Sequence, residues 1–297
     1  MSEIKRIGFI GIGNMGVPMA ANLTGAGYAV TAYDLAAERA RRFADQHQAR
    51  ATESLAELGQ GADLVITMLP SGHEVRHALL DAQDGALVAN LRPGSFVVDM
   101  SSADPVGTRR LGEELAARGI AMVDAPVSGG VVRAKDATLT IMIGGDAAAV
   151  ATVKPVLVRM GDKLFEVGSR GCGHAMKALN NFLAGTSFAA ASEAVRVGKT
   201  FGLDPAVMID VINVSTGRSF ASDVVMKQHV LTEKFATGFA LGLLAKDVRI
   251  AADLAEQLGA KAPIGALVCD LFAAARDAIG GDADHSRAAQ FWNKTGD

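Results

Sequence analysis

The sequence predicts an α/β domain with a mainly parallel sheet, followed by an all-helical domain. Three observations predict it. Through the first half, short apolar runs alternate with amphipathic, alanine-rich stretches, the pattern of a parallel sheet covered on both faces. The β pattern then stops near residue 169, and the remaining periodic stretches have helical spacing. Finally, 297 residues are enough for two cores. The expected domains are residues 1–168 and 169–297.

Taken in order, "RIGFIG" is a strand and "MAANLTGAG" a helix, then "AVTAYD" a strand and "AAERARRFADQH" a helix. "DLVITML", "SFVVDMS", "AMVDAPVS", "LTIMIGG" and "KLFEVG" are the further strands. No clear helix precedes "LTIMIGG", so part of the sheet is expected to be antiparallel. Ser102 or Asp104 can cap the helix after "DMSSADP". From Gly171 to about Phe201 the chain can run as one long helix, ending near Gly202. Asp204 followed by Pro205 restarts a helix, as N-cap and first helical residue. "LGLLAKDVRIAADLAEQLG", "APIGALVCDLFAAARDAIG" and "SRAAQFW" are the last helices.

Composition excludes several classes of function. The net charge of −3 and the lack of a Lys/Arg cluster argue against nucleic acid as a partner. No run reaches the ~20 uninterrupted apolar residues of a membrane span. The N-terminal apolar run is broken by glycines, an asparagine and a proline, which argues against a signal peptide. Two cysteines, Cys172 and Cys269, make no disulfide framework, and the cytoplasm is the expected compartment. The six histidines show no metal-ligand spacing. His174 and His285 are expected at the surface or in caps, and Cys172 is expected to be packed rather than reactive.

"GFIGIGNMG" holds Gly11, Gly13 and Gly16 in G-x-G-x-x-G spacing, directly after a strand and opening a helix. Gly11 permits the tight turn, Gly13 lets the backbone approach a pyrophosphate, and Gly16 lets helix and strand pack closely. The first domain is therefore expected to be a Rossmann-type dinucleotide-binding domain. Asp34 ends the second strand, where a carboxylate accepts from a ribose 2′-hydroxyl and repels a 2′-phosphate. NAD is favoured over NADP on that ground, although Arg39, Arg41 and Arg42 stand nearby.

"DAPVSGG", Asp124–Gly130, ends a strand with a hydroxyl and two glycines, a turn whose backbone amides can hold a carboxylate. "GHAMKALNNFL" sets Gly173, Lys177, Asn181 and Gly185 four residues apart, on one helix face. Arg218, in "STGRSF", can pair with a second substrate anion.

Four stretches, "GFIGIGNMGVPMAANL", "DAPVSGGVVRAKDATLTIMIGG", "GCGHAMKALNNFL" and "LLAKDVRIA", together resemble the β-hydroxyacid dehydrogenase family, which includes the 3-hydroxyisobutyrate dehydrogenases and tartronate semialdehyde reductases. The resemblance covers essentially the whole chain. Ile12 departs from the family's more usual leucine at a position that contributes mainly backbone. The resemblance implies that Lys177 is the catalytic lysine, with Asn181 the amide beside it. It implies that Ser128, Gly129 and Gly130 bind a small carboxylate-bearing substrate. Asn14 and Met15 then lie in the phosphate turn, Leu69, Pro70 and Ser102 line the cofactor, and Lys246 reaches toward it. It further implies that the long helix joins the domains and that the helical domain forms a homodimer or homotetramer.

Oxidising an alcohol removes a hydroxyl proton as hydride leaves carbon. A lysine near a cationic ring and partly withdrawn from water gives up its proton more readily, which suits that role. Gly173 is expected to leave room for substrate. The leading expectation is an NAD-dependent 3-hydroxyacid dehydrogenase without a metal. The alternatives are an NADPH-dependent reductase of small aldehyde acids, such as succinic semialdehyde, glyoxylate or tartronate semialdehyde, and a catalytically silent nucleotide-binding module.

Overall fold

A computed structural model describes residues 4–81 and 87–294. By the density of its internal packing the chain forms two compact units, one up to Lys177 and the other from Ala178 onward. The division falls inside the long helix, a few residues beyond the last strand.

In the first unit, β1 (Arg6–Ile10), β2 (Ala29–Tyr33), β3 (Arg50–Ala51), β4 (Leu64–Thr67), β5 (Phe96–Asp99), β6 (Ala121–Asp124), β7 (Val127–Ser128), β8 (Leu139–Gly144) and β9 (Gly161–Gly168) make one sheet. Its order is β3-β2-β1-β4-β5-β6-β8-β7, with β9 also on β8. Strands β1 to β6 pair in parallel, whereas β8 runs antiparallel to β6 and β7. The antiparallel part is where the sequence lacks a clear crossover helix. The run "AMVDAPVS", read as one strand, is split into β6 and β7, and the two-residue β3 escapes a periodicity reading because two residues carry no alternation.

The crossover helices are α1 (Gly16–Gly25), α2 (Ala37–His47), α3 (Leu55–Gly61), α4 (Gly72–Arg76), α5 (Leu87–Asn90) and α6 (Pro105–Ala116); a short α7 (Gly130–Lys135) joins antiparallel β7 and β8, and α8 (Ala147–Leu157) crosses from β8 to β9. Two apolar clusters include residues of the central strands. One contains Phe9, Met19, Phe43, Ile66 and Ile141, and the other Ile10, Leu58, Val65, Val97 and Leu115. Alternate residues of β1 and β4 thus fall in different clusters, as expected of strands buried on both faces. Asp104 caps α6, accepting from the amides of Val106 and Gly107 at 3.2 and 2.7 Å.

The helix α9 spans Cys172–Phe201, and α10 (Pro205–Asn213), α11 (Leu241–Gln257), α12 (Pro263–Ile279) and α13 (Ala288–Lys294) follow it. Asp204 caps α10 through the amides of Ala206 and Val207, with Pro205 in the first turn. A π-helical stretch over Ala221–Val230, absent from the sequence reading, supplies Val225 and Met226 to the core of the second unit. Phe188, Ile209, Val248 and Phe272 complete that core.

Candidate active site

In the first unit the strand register gathers the segments singled out in the sequence. Tyr33, Ile10, Thr67, Asp99 and Asp124 form one row across the carboxyl ends of β2, β1, β4, β5 and β6. Gly11–Gly16 follow β1, Asp34 follows β2, Leu69 and Pro70 follow β4, Ser102 follows β5, and Ser128–Gly130 lie just beyond β6. The chain leaves β1 toward β2 on one side and returns to β4 on the other. That is a topological switch point, where open α/β sheets bind ligands.

The first turn has the shape a dinucleotide phosphate needs. Gly11 has φ +99°, and a side chain there would run into the carbonyl oxygen of Met68. A side chain at Gly16 would run into the carbonyl oxygen of Gly11. At Gly13 nothing lies within 4 Å of where a Cβ would stand, so the backbone is open to an anion. No side chain caps the N-terminus of α1, which leaves its first amides for that anion. Met15 is half-buried against the core and Asn14 is exposed.

Asp34 is locked by the same turn. The Ile12 amide donates to Oδ2 at 2.9 Å and the Ala36 amide to Oδ1 at 2.9 Å. Arg39 stands 3.8 Å from Oδ1, close enough to offset part of the charge. Leu69 is held through its amide, which donates to Ser101 Oγ at 2.9 Å. The Ser101 amide and the Thr67 hydroxyl both donate to Asp99 Oδ1, at 3.0 and 2.9 Å. Pro70 is exposed and Ser102 half-buried. Beyond β6, Ser128 pairs with Thr140 in β7–β8. Gly129 and Gly130 take φ of +133° and +66°, which favour glycine.

Asp124 ties the start of α9 to this edge. Its carboxylate is buried and accepts from the amides of Gly171 at 2.7 Å and His174 at 2.9 Å. Burial pushes its pKa up, while His174 and the two amides oppose the rise. Lys177 follows three residues after the anchored His174, one helical turn along α9. Gly173 does not leave room for substrate. A Cβ there would lie 2.5 Å from the Met142 carbonyl oxygen and 2.8 Å from Asp124 Oδ2, so glycine serves close packing of helix on sheet. His174 is fully buried, not at the surface. Thr108 Oγ1 lies 2.9 Å from the Asp104 carbonyl oxygen and 2.8 Å from His174 Nδ1, and the imidazole's Nε2 faces Asp99 Oδ2 at 3.7 Å.

In the second unit, Asp247 brings Asn181 and Lys246 together. Asn181 Nδ2 donates to Asp247 Oδ2 at 2.6 Å, and Lys246 Nζ lies 3.1 Å from Oδ1. Asp247 is 2% exposed and Asn181 7%. Gly185 lets α9 approach Val248 and Phe272. Arg218, a candidate anion partner, pairs with Asp223 at 2.8 Å. His285 is also buried, and burial lowers its pKa.

Sequence reasoning assigned no role to Asp99, Ser101, Asp124 or Asp247. The available signal was a carboxylate closing each of two apolar strands, "FVVD" and "AMVD", at equivalent ends. For Asp247 it was an acid in the middle of an apolar helix, where an unpaired charge is costly. Among the described residues no group of three or more His, Cys, Asp or Glu side chains could hold a metal ion, and no helix is long and apolar enough to cross a membrane.

Two family models match the chain, one after the other. Residues 6–168 match the family model of the NAD binding domain of 6-phosphogluconate dehydrogenase. Residues 171–292 match that described as NAD-binding of NADP-dependent 3-hydroxyisobutyrate dehydrogenase. A 3-hydroxyisobutyrate dehydrogenase of Pseudomonas aeruginosa is 38% identical, covering 94% of both chains. An NAD-dependent L-serine dehydrogenase of the same organism is 36% identical, covering 91% of both. The solved structure of a Mycobacterium tuberculosis 3-hydroxyisobutyrate dehydrogenase with L-serine superposes with a TM-score of 0.89 at 34% identity, covering 97% of this chain and 99% of that one. With both halves matched in order and its glycine turn built for a dinucleotide, the chain belongs to the β-hydroxyacid dehydrogenase family of oxidoreductases.

Proposed function

We propose that the protein interconverts a small 3-hydroxyacid of the 3-hydroxyisobutyrate kind and its semialdehyde, with NAD as the favoured cofactor. The observation that carries this reading is the Asp124 anchor. It fixes the start of α9 at the carboxyl edge of the sheet and sets Lys177 one turn beyond it. When bound, NAD supplies the hydride acceptor. Lys177 takes the hydroxyl proton as the carbonyl forms, and returns it in the reverse direction. The backbone of Ser128, Gly129 and Gly130 holds the substrate carboxylate. Gly11–Gly16, Asp34, Leu69, Pro70 and Ser102 hold the cofactor, with Lys246 reaching toward it.

The test is a panel of 3-hydroxyacids and semialdehydes, L-serine included because a relative bears its name, with NAD and NADP, followed by nicotinamide absorbance. Turnover of a carboxylate-bearing member with NAD supports the reading. Equal efficiency on its methyl ester removes the carboxylate role of the Ser128 turn. Silence across the panel leaves only a nucleotide-binding module.

A homodimer or homotetramer, in the cytoplasm, completes the reading. Leu179, Leu183, Val197 and Phe201 on α9 are between 47% and 86% exposed, and a stripe of that size is normally covered by another chain. The two cysteines are free, as in a reducing compartment. Light scattering of the purified protein gives the subunit number directly.

A further inference from the structure

We propose that Asp247 is a positioning residue that fixes the Asn181 amide with its nitrogen as the working end, so that Asn181 serves the reaction as a hydrogen-bond donor and not as an acceptor. The proposal rests on the reading of Asn181 as a site residue.

A side-chain amide has two nearly isosteric orientations, and its partners decide between them. An ionised carboxylate only accepts. Asp247 Oδ2 lies 2.6 Å from the Asn181 side chain, so that contact must be made by the NH2 group. The Asp247 carboxylate, which cannot donate, therefore selects one orientation. The Asn180 amide can turn either way and follows it, with Nδ2 donating to Asn181 Oδ1 at 3.1 Å. The NH2 group has two protons and Asp247 takes one. Among the described residues no hydrogen bond uses the second.

Asp247 is suited to this because it is buried and held. Its own helix, α11, presents Lys246 with Nζ 3.1 Å from Oδ1, which balances the charge and leaves Oδ2 for Asn181. The reacting oxygen of an alcohol gains negative character as its proton leaves for Lys177 and the C–H electron pair leaves as hydride. A preset N–H donor stabilises that charge without reorganising, whereas an amide oxygen would oppose it.

The experiment uses the full-length protein with NAD and its best panel substrate. Asp247→Asn keeps size and hydrogen-bonding capacity but can donate or accept, so the Asn181 amide is no longer held one way round. The expected result is a fall in kcat of roughly 10- to 100-fold, the range a misplaced polar group costs. KM, NAD affinity and thermal midpoint should stay near the wild type. On an Asn181→Ala background, Asp247→Asn should cost no further kcat, because it acts through Asn181. Additive losses, or a fall in thermal midpoint that parallels the fall in kcat, would overturn the proposal in favour of a structural or Lys246-mediated role.

A second readout does not depend on turnover. In 15N-asparagine-labelled protein, the Asn181 side-chain signal, assigned by its loss in Asn181→Ala, should show one proton shifted downfield and slow to exchange. That signature should vanish in Asp247→Asn. Two equivalent, fast-exchanging protons in the wild type sink the proposal even in an active enzyme. Its presence in a protein that turns over nothing retains the locked amide and removes the dehydrogenase reading instead.

Discussion

The two compact units hold their candidate residues by different means. In the first, the glycine turn is a backbone feature, made of glycines that alone fit their positions, amides at a turn, and a row of strand ends aligned by register, with Asp124 and Lys177 as the side chains singled out beside it. In the second, the candidates are side chains of packed helices, with Asn181 and Lys246 set by one buried carboxylate. Backbone sites depend on conformation, and on glycine where a side chain would not fit. Side-chain sites tolerate conformational slack but depend on the identity of partners. The two kinds should therefore fail differently when mutated.

The largest effect should come at Lys177, in the helix whose start the first unit anchors. Lys177→Ala should lower kcat by roughly 10²–10⁴, the usual worth of a positioned acid or base, and leave NAD affinity nearly unchanged. Lys177→Arg should not rescue it, because a guanidinium does not release its proton near neutral pH. Turnover at saturating substrate and NAD binding by fluorescence quenching check both halves of the statement. Loss of NAD binding alongside turnover would move Lys177 to the cofactor and leave Lys246 as the next acid-base candidate.

Asp34 tests a charged side chain set beside the glycine turn of the first unit. A phosphate dianion beside its carboxylate meets repulsion of about 4 kcal/mol per pair of unit charges at 4 Å. Arg39, 3.8 Å away, offsets part of that. Asp34→Ser should raise the ratio of kcat/KM for NADP over NAD by about 10²-fold, part of it from lost ribose contacts. A wild type that used both cofactors equally would show that Arg39 dominates.

Gly16 tests the backbone logic more directly. Gly16→Ala places a Cβ against the Gly11 carbonyl oxygen, so the phosphate turn must move. Strain of about 1–3 kcal/mol at such a position corresponds to roughly a 5- to 150-fold weaker NAD affinity. Isothermal titration should show the loss with kcat at saturating NAD largely kept, the reverse of the Lys177→Ala pattern.

The same contrast explains what was legible in the sequence. The glycine spacing of 11–16 and the strand-helix alternation carry their physics locally, so the phosphate turn and the parallel sheet were readable residue by residue. The antiparallel β8 was readable from the lack of a clear helical pattern before it, where only the six-residue α7 stands. Lys177 and Asn181 were readable as a polar stripe, but their roles came only from resemblance to a family. Gly173 was misread because its constraint, the Met142 carbonyl and Asp124, lies far away in sequence. His174 was misread for the same reason, since Thr108 and Asp124 make burial of its ring and amide tolerable. Asp247 stood beside Lys246 in plain view. Its meaning depends on Asn181, 66 residues earlier. The π-helical stretch over Ala221–Val230 has no periodic signature of the usual helical kind.

The smallest effect is expected at the opposite edge of the sheet, which takes no part in the candidate site. Asp63 precedes β4 and pins the start of β1. It accepts from the amides of Lys5 and Arg6 at 3.2 and 3.0 Å, and it pairs with the guanidinium groups of Arg6 and Arg92 at 2.7 and 2.9 Å. Burial alone would push its carboxyl up, but the hydrogen bonds from Arg6 and Lys5 more than offset it and bring the pKa down to about 2. A carboxylate whose folded pKa is depressed contributes stability above its unfolded value, near 4, and loses it as pH falls through the folded value. The window is therefore about pH 4 down to about 2. Asp63→Asn should move the acid-unfolding midpoint upward by only a fraction of a pH unit, because the pair is largely solvent-exposed and screened. At pH 7, kcat, KM and NAD affinity should match the wild type. Acid titration followed by circular dichroism, run beside the kinetics, separates the two edges. A fall in kcat for Asp63→Asn would mean that the amino edge of β1 transmits to the glycine turn at its other end, and the division between a working edge and a fastening edge would no longer hold.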